Sequence, residues 1–335
     1  MKRGSFMLKK ALGLLMTLAL IFALAACSSS ESGGGQSSSG DDGLVIGTSI
    51  PSLEFTFFVA AKKAWEAAAN EAGVADAPFY NGENNQSKQN KDIEDMVVKG
   101  VDAIVVIPIT TEGVIPAIKY ANENGVPVFT VDRSIADGAG VDIVAHIGTD
   151  HEDMGENAAR LFLDGLKEIH PDVANYKVAE LEGTPGSSAA ILRGKGIHNV
   201  LDAESNVEFV SSLTAEFQAT MATTVTENIL TANPDIHGII AHNDMMAEGA
   251  LQAAKSAGRD DLVIVGMDGQ VSTVKKVVSG EIYGTSLQLP SMLGDGLKAA
   301  VQHLNGEKVK NNVWVPTERI DKSNAQQMID EGKSW

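Results

Sequence analysis

The sequence is poor in cysteine, and Cys27 is the only one among its 335 residues. Because there is no second thiol, an internal disulfide cannot form, which excludes a small scaffold held together by disulfides. Stability must therefore come from an ordinary hydrophobic core. Hydrophobic residues make up 44% of the chain, which is enough for one large or two medium α/β domains.

Basic side chains are also scarce. The sequence has 26 Lys and Arg against 44 Asp and Glu. Four of the basic residues and none of the acidic ones lie within residues 1–26, so the chain from residue 27 onwards has a net charge near −22. Such a surface repels nucleic-acid phosphates and anionic lipid headgroups. We therefore expect no nucleic-acid partner.

Several motifs of cofactor and catalytic sites are missing. No G-x-G-x-x-G run follows the first predicted strand, and the glycine-rich stretch at 183–186 lacks the Lys-Ser/Thr end of a phosphate-binding loop. The seven histidines show no H-E-x-x-H or similar ligand spacing. We expect no cofactor, no metal and no catalysis. An enzyme remains an alternative, since Asp132 and Asp268 could act as an acid/base pair on a glycoside.

The N-terminal residues carry a secretory pattern. Four basic residues within the first ten positions precede a charge-free apolar stretch over residues 11–26. The stretch ends in Leu24-Ala25-Ala26 and is followed by Cys27, and these four residues resemble the lipobox of a bacterial lipoprotein signal. In that family the signal is cut before the cysteine, whose thiol carries a diacylglycerol. The alternative is an uncleaved membrane anchor, but a spanning helix needs roughly 20 apolar residues, and this stretch is shorter.

Residues 28–43 read SSSESGGGQSSSGDDG and contain no apolar residue that could anchor a core. This composition is typical of a flexible spacer. We therefore expect a signal peptide at 1–26, a lipidated Cys27 with its linker up to residue 43, and a folded part beyond. The folded part should lie outside the cytoplasmic membrane and be held to it by lipid.

Beyond residue 43, short β-rich runs alternate with helical patterns. Residues 44–50 form the first apolar run, and residues 57–72 carry apolar residues at three- and four-residue steps until Gly73 ends the pattern. The alternation continues to residue 287 and predicts parallel sheets covered by helices on both faces. One sheet with all of these strands would be unusually large. The sequence therefore predicts an α/β protein with two doubly wound parallel-sheet lobes.

Charged, amide and aromatic side chains follow six of the predicted strands. In open parallel sheets, ligands bind beyond the carboxyl ends of the strands, so these side chains are candidates for one site. The residues are Glu54, Phe55, Phe57, Phe58, Asp132, Arg133, Arg193, Asn243, Asp244, Asp268 and Gln288. Carboxylates, amides and guanidinium groups hydrogen-bond hydroxyls, and phenyl rings lie against the apolar faces of sugar rings. The mixture favours a carbohydrate ligand.

Each of these residues also has a structural explanation. Asp132 could cap the next helix, and Asp268-Gly269 could be only a turn. Arg193 could be a solvated helix residue, while Phe57 and Phe58 could belong to the core. The argument for a site depends on the coincidence of six strand ends.

The sequence resembles the ribose-type periplasmic binding proteins, the type I sugar-binding lipoproteins that serve ABC importers. Seven short motifs in the family's order carry the resemblance, over roughly residues 44–317. They are Phe57-Phe58-Val59, Val131-Asp132-Arg133, 183–193 (GTPGSSAAILR), Ala215-Glu216-Phe217, His242-Asn243-Asp244, 265–269 (VGMDG) and Gln288-Leu289-Pro290.

The resemblance implies roles for individual residues. Phe57, Phe58 and Phe217 would enclose the sugar ring. Hydrogen bonds to its oxygens would come from Asp132, Arg133, Arg193, Asn243, Asp268 and Gln288. It also implies a three-segment hinge, with crossovers near Thr149, Gln288 and Thr317. The N-terminal lobe would then be 44–149 plus 289–317, and the C-terminal lobe 150–288 plus 318–335.

The sequence departs from the family at one corner of the expected site. Ribose binders have an Asn-Asn-Pro stretch before the paired phenylalanines, whereas this chain has Glu54-Phe55-Thr56. We expect Glu54 or Phe55 to adapt the pocket to a monosaccharide or polyol other than ribose.

The resulting expectation is a monomeric receptor that captures a monosaccharide or polyol and delivers it to an ABC transporter permease. A chemosensory receptor remains an alternative, because sensing and import use the same loaded form. A sugar-sensing repressor shares the two-lobe fold, but this chain has a secretion signal in place of a DNA-binding segment, and its acidity opposes DNA.

Overall fold

The computed structural model describes residues 43–335. The predicted signal peptide, Cys27 and the spacer up to residue 42 lie outside the described residues. None of the helices in the described part is both long enough and apolar enough to cross a membrane.

Within residues 43–335 the chain forms twelve strands and ten helices. The strands are β1 Ile46–Ile50, β2 Phe79–Asn81, β3 Ala103–Val106, β4 Val128–Val131, β5 Ala145–Gly148, β6 Tyr176–Glu182, β7 Val207–Thr214, β8 Gly238–Ala241, β9 Val263–Asp268, β10 Gly284–Leu287, β11 Asn312–Trp314 and β12 Arg319–Asp321. The helices are α1 Thr56–Ala72, α2 Gln86–Val98, α3 Ile115–Glu123, α4 His151–Ile169, α5 Ser188–Leu201, α6 Ala219–Ala232, α7 Asp244–Ser256, α8 Val271–Ser279, α9 Met292–Leu304 and α10 Ala325–Asp330.

The strands assemble into two six-stranded sheets with the same order. The first sheet runs β11-β5-β4-β3-β1-β2 and the second runs β12-β10-β9-β8-β6-β7. Apart from the edge strands β11 and β12, each sheet has the 2-1-3-4-5 order of a doubly wound fold. The predicted pair of parallel-sheet α/β lobes is confirmed.

The chain passes between the two sheets three times. It leaves the first sheet after β5, returns to it with α9 and β11, and enters the second sheet again at β12. Helix α9 packs against α1 beside the first sheet. Its side chains Met292, Leu293 and Leu297 are fully buried.

Two features of the sheets differ from the sequence-based expectation. The hydrophobic pattern predicts no strand and no helix beyond residue 287, whereas α9, β11, β12 and α10 all follow that residue. Strands of three residues are too short to show a period of two. In addition, β12 pairs antiparallel with β10, so the second sheet is not entirely parallel.

Local sequence explains where several helices begin and end. Gly73 has φ 63° and its N–H bonds the last carbonyls of α1, as the sequence predicts for the residue that stops this helix. Asn85, Asp150, Ser187 and Asn243 each accept a hydrogen bond from a backbone N–H in the first turn of the helix they precede.

Candidate functional site

A cavity lies between the two lobes, at the carboxyl ends of strands from both sheets. Its lining residues are Phe55, Phe57, Phe58, Asp132, Arg133, Ala189, Arg193, Phe217, Asn243, Asp268 and Gln288. The structure therefore brings ten of the twelve residues expected from the strand ends and the family resemblance around one cavity, although they are scattered over more than 230 positions of the chain.

Glu54 is one of the two expected residues that the structure places outside the cavity lining, and Asp244, described below, is the other. Its side chain is exposed, while the next side chain, that of Phe55, is buried and lines the cavity. The Glu54 N–H bonds Ser52 Oγ at 3.2 Å in the turn before α1, and this turn directs Phe55 inward. Of the two residues expected to adapt this corner, only Phe55 has access to the cavity.

The structure shows whether Asp132, Arg193, Phe57 and Phe58 have only the structural roles considered for them above. Asp132 caps no helix, since the next helix, α4, is capped by Asp150. Arg193 is only 3% exposed and points into the cavity instead of into solvent. Phe57 and Phe58 are both core and lining residues, because they belong to the main hydrophobic cluster and also face the cavity.

Three of the lining residues have positive backbone φ angles, which are unfavourable for residues other than glycine. Asp132 has φ 61°, Phe217 has φ 63° and Asp268 has φ 130°. Such strain persists where the surrounding structure holds it, and it is concentrated at functional sites. Here it turns the three side chains into the cavity at the ends of β4, β7 and β9.

Aromatic rings form the apolar walls. Phe58 contacts Phe55 and Phe57 edge to face, with ring centres 6.0 and 5.4 Å apart. Phe217 faces them from the second lobe. The Arg133 guanidinium lies between the lobes, 5.6 Å from the Phe58 ring centre and 5.3 Å from that of Phe217.

Arg193 is the centre of a polar network. Its Nη1 donates to Asp268 Oδ1 at 3.2 Å and to the His242 carbonyl, and its Nη2 donates to Gln288 Oε1. The Gln288 amide then donates through Nε2 to Asp132 Oδ1. Charged and amide groups from both lobes are thus connected in one chain of hydrogen bonds.

Arg133 has a donor that this network does not use. Its Nη1 donates to the Ile109 carbonyl at 3.2 Å, but its buried Nε has no hydrogen-bond partner among the described residues. Burial lowers the pKa of this guanidinium to about 10, although neighbouring Asp132 favours the charged form. A buried donor without an acceptor is costly, so this position suits an oxygen supplied by a ligand.

His151 is a site residue that the sequence argument missed. Its Nδ1 accepts from Arg193 Nε at 3.3 Å, and its Nε2 lies 3.0 Å from the Asp132 carbonyl and 3.2 Å from Asp132 Oδ1. Because Nδ1 accepts, the proton lies on Nε2 and the ring is neutral. Burial also lowers the pKa of His151. As the first residue of the helix after β5, it could have been found by the same strand-end rule.

The two carboxylates of the cavity have pKa values shifted in opposite directions. Burial, together with the charge of Asp132, raises the pKa of Asp268 to about 7 despite its ion pair with Arg193. Burial also acts on Asp132, but the hydrogen bond from His151 and the charges of both arginines lower its pKa below the usual value. Of the two carboxyl groups in this cavity, Asp132 is therefore the one that favours the ionised form, and Asp268 is the one that favours holding a proton.

Asp244 follows Asn243 at the end of β8 but does not line the cavity. Its carboxylate accepts from Gln270 N at 2.8 Å and from Thr285 Oγ1 at 2.7 Å. Burial raises its pKa well above the usual value. Asp244 therefore stabilises the loop after Asp268 through its hydrogen bond with the Gln270 N–H.

The two lobes are in contact around the cavity. Thr111 N donates to the Gly186 carbonyl and Ser134 N to Ser188 Oγ, both at 2.9 Å. The free space inside is only about 30 Å³, comparable to the volume that one water occupies. Entry of anything larger requires the lobes to separate. Among residues 43–335 no group of three or more His, Cys, Asp or Glu side chains is arranged to hold a metal ion.

Comparison with known proteins agrees with this architecture. Residues 46–308 match the family described as periplasmic binding protein domain. The ribose import binding protein RbsB of Bacillus subtilis is 38% identical over 312 residues, which cover 92% of this chain and 98% of that protein. The xylitol-binding protein of Mycolicibacterium smegmatis is 31% identical over 75% of this chain and 70% of its own.

The structure of the Caulobacter myo-inositol binding protein bound to myo-inositol superposes with a TM-score of 0.79. It is 30% identical in sequence, and the match covers 87% of this chain and 97% of that one. The fold, the family match and these relatives together show that the chain belongs to the periplasmic binding protein family, among its ribose-type members.

Proposed function

We propose that this protein binds one monosaccharide or related polyol in the cavity between its lobes and delivers it to an ABC importer. The observation that carries the proposal is the chemistry of the cavity. Four phenyl rings face two arginines, two carboxyls and two amides, and one buried guanidinium N–H lacks an acceptor. Relatives with 30% identity or more are described as binding ribose, xylitol and myo-inositol.

The polar groups match the needs of a ring that carries several hydroxyls. Each hydroxyl offers one donor and two lone pairs, so it pairs with a carboxylate on one side and an N–H on the other. Asp132, Asp268 and Asn243 would form hydrogen bonds with hydroxyls around the sugar ring. Each arginine would donate hydrogen bonds to two sugar oxygens. The phenyl rings would cover the apolar C–H faces.

The closed site leads us to expect that ligand binding changes the lobe arrangement. The network from Arg193 through Gln288 to Asp132 already satisfies these groups when the lobes meet. A sugar must replace those bonds with its own, and it can enter only after the lobes separate. A ligand that bridges both lobes then binds the closed form better and shifts the population toward it. An importer that recognises the closed form would respond only to loaded receptor.

Phe55 supports a ligand other than ribose. It places a phenyl ring at the corner where ribose binders have an Asn-Asn-Pro stretch, and it packs on Phe58 instead of offering a hydrogen bond. The ligand should therefore be apolar or unsubstituted at that corner. This part of the proposal fails if ribose binds far more tightly than every other sugar and polyol tested.

A glycoside-processing enzyme is the second candidate, because the opposite pKa shifts of Asp132 and Asp268 are those an acid/base pair needs. We favour binding without turnover. Both carboxyls are already engaged by Arg193, His151 and Gln288, which suits holding hydroxyls. NMR spectra of glycosides incubated with the pure protein decide the point. Hydrolysis that is lost in Asp268→Asn would favour the enzyme.

We also propose that the receptor is a monomer held at the outer face of the cytoplasmic membrane by a lipid on Cys27, with the lobe boundaries given above. The lipobox motif supports the anchor. Labelling of cells with radioactive palmitate tests it. Label should enter the wild-type protein and be absent from Cys27→Ala, which should appear in the soluble fraction. Equal labelling of both proteins would rule the anchor out.

The main experiment is a thermal-shift screen of the protein without residues 1–27 against pentoses, hexoses, deoxysugars, inositols and linear polyols, followed by titration calorimetry. A cognate ligand at about 1,000 times its dissociation constant should stabilise the fold by roughly 4 kcal/mol. Binding with a stoichiometry of one is expected. No stabilisation by any member of the panel would contradict the proposed function.

A further inference from the structure

Trp335 contacts both lobes beside the cavity without lining it. Its indole Nε1 donates to the Asp268 carbonyl at 2.9 Å and to the Gln288 carbonyl at 2.8 Å. Its own carbonyl accepts from Val271 N at 2.8 Å. The side chain is thereby attached to the ends of β9 and β10, from which two of the proposed ligand-binding side chains project.

The same indole ring reaches the other lobe. It packs edge to face on Phe57 of α1, with ring centres 5.5 Å apart. Beside this contact, Thr56 Oγ1 donates to Gln270 Oε1 at 2.7 Å, and this hydrogen bond joins α1 directly to the loop after β9. The contacts of Trp335 therefore join one aromatic wall of the cavity to the strand ends on the opposite side.

From this geometry we infer that Trp335 is a positioning residue for ligand binding and for closure. It holds the strained Asp268 backbone and the Gln288 backbone through its N–H, and it fixes the Phe57 ring through its own ring. Since these contacts come from different lobes, Trp335 stabilises the closed arrangement relative to any state in which Phe57 moves away. The effect on ligand affinity rests on the proposed function.

The two halves of this role can be separated by substitution. Trp335→Phe keeps a ring against Phe57 but removes the N–H, which leaves the Gln288 carbonyl without this donor. Trp335→Ala removes both. Trp314→Ala is a matched control, because Trp314 is 56% exposed and lies outside the cavity.

Affinity and kinetics for the best sugar of the panel give the first readout. We expect Trp335→Ala to weaken binding on the order of tenfold, because an aromatic pair and a hydrogen bond each contribute a few-fold. The loss should lie mainly in faster dissociation, since closure holds the ligand in place. Trp335→Phe should recover part of the affinity, and Trp314→Ala should match the wild type. Urea unfolding of the ligand-free variants confirms that they are folded.

Small-angle scattering of the ligand-free protein gives a second readout that needs no sugar. Trp335→Ala should show a larger radius of gyration than the wild type, because the open population increases. Equal affinities for a folded Trp335→Ala and the wild type would overturn the positioning role, and equal radii of gyration would overturn the role in closure. A wild type that binds no sugar refutes the proposed function and the role in ligand binding, while the scattering comparison still decides closure.

Discussion

Arg193 Nε donates a hydrogen bond to His151 Nδ1 at 3.3 Å, and the opposite nitrogen of the same ring contacts Asp132. This buried imidazole therefore fixes the position of Arg193, which belongs to the second lobe, relative to the carboxylate of Asp132, which belongs to the first. The arrangement depends on a neutral ring, which burial favours by lowering the pKa of His151.

Replacement of His151 tests this connection. His151→Ala should weaken sugar binding by about tenfold or more, because a hydrogen bond to a charged group contributes about 1.5–3 kcal/mol. His151→Gln can keep a donor near Asp132 but leaves Arg193 Nε without its acceptor, so an intermediate affinity is expected. Calorimetric titration measures both. Wild-type affinity in His151→Ala would show that the imidazole only fills space.

Removal of the Arg193 guanidinium should weaken sugar binding more than removal of any other hydrogen-bonding side chain of the cavity. Arg193→Lys keeps the charge but cannot contact Asp268, Gln288 and His151 at once. We expect at least a hundredfold loss of affinity in Arg193→Lys and a larger one in Arg193→Ala. Lys195→Ala is the matched control on the same helix, since its ammonium lies at the surface and pairs with Glu152. A hundredfold loss in the control would indicate damage to α5 and not to the site.

Gly183 leaves space for the Phe217 ring because it has no Cβ atom. A Cβ atom at residue 183 would lie 2.0 Å from Phe217 Cζ, so Gly183→Ala must displace the ring from its present position at the cavity wall. Binding of the cognate sugar should be lost or severely weakened. Gly194→Ala is the control, because its Cβ would meet nothing closer than 3.4 Å. If Gly183→Ala binds normally, Phe217 is not a fixed wall of the site.

The raised pKa of Asp268 predicts a pH dependence of stability. Its pKa is about 7 in the folded protein, against 3.8 for an unperturbed group. Between these values the folded state holds a proton that the unfolded state has released, so this group's contribution to stability falls as the pH rises through that interval. Above pH 7 the contribution stays at its lower level.

Asp268→Asn removes this titration. The free energy of unfolding of the variant, relative to the wild type, should therefore increase from pH 5 to pH 8. Urea denaturation at both pH values measures the difference. A constant difference between Asp268→Asn and the wild type would mean that Asp268 is ionised throughout the range.

Much of the fold follows from local patterns. The alternation of apolar runs with helical periodicity predicts the two covered sheets, and Gly73 ends α1 where the sequence indicates. The strands that the patterns missed, β11 and β12, have three residues each, and their pairing partners lie far away in the chain. Such strands exist because a sheet edge is available, and local sequence carries no signal of that edge.

The site could be predicted to the extent that the strand-end rule applies. It located nine lining residues, because parallel strands place their carboxyl ends at one edge, and the family resemblance added Phe217. It could not separate Glu54 from Phe55, since their directions depend on the turn at Ser52. It also missed Trp335, which follows no strand and reaches the site only through the packing of α10 and the residues after it.

By itself the sequence determined the α/β class, the two lobes and the chemical character of the cavity, because these depend on periodicity and on residues adjacent to strand ends. Only the tertiary structure decided which groups meet. Arg193 and Gln288 are 95 positions apart and bond directly, and Asp132 and Gln288 are 156 apart. Such pairings, and the opposite pKa shifts of Asp132 and Asp268, arise from burial and distance in the closed fold, which no local pattern encodes.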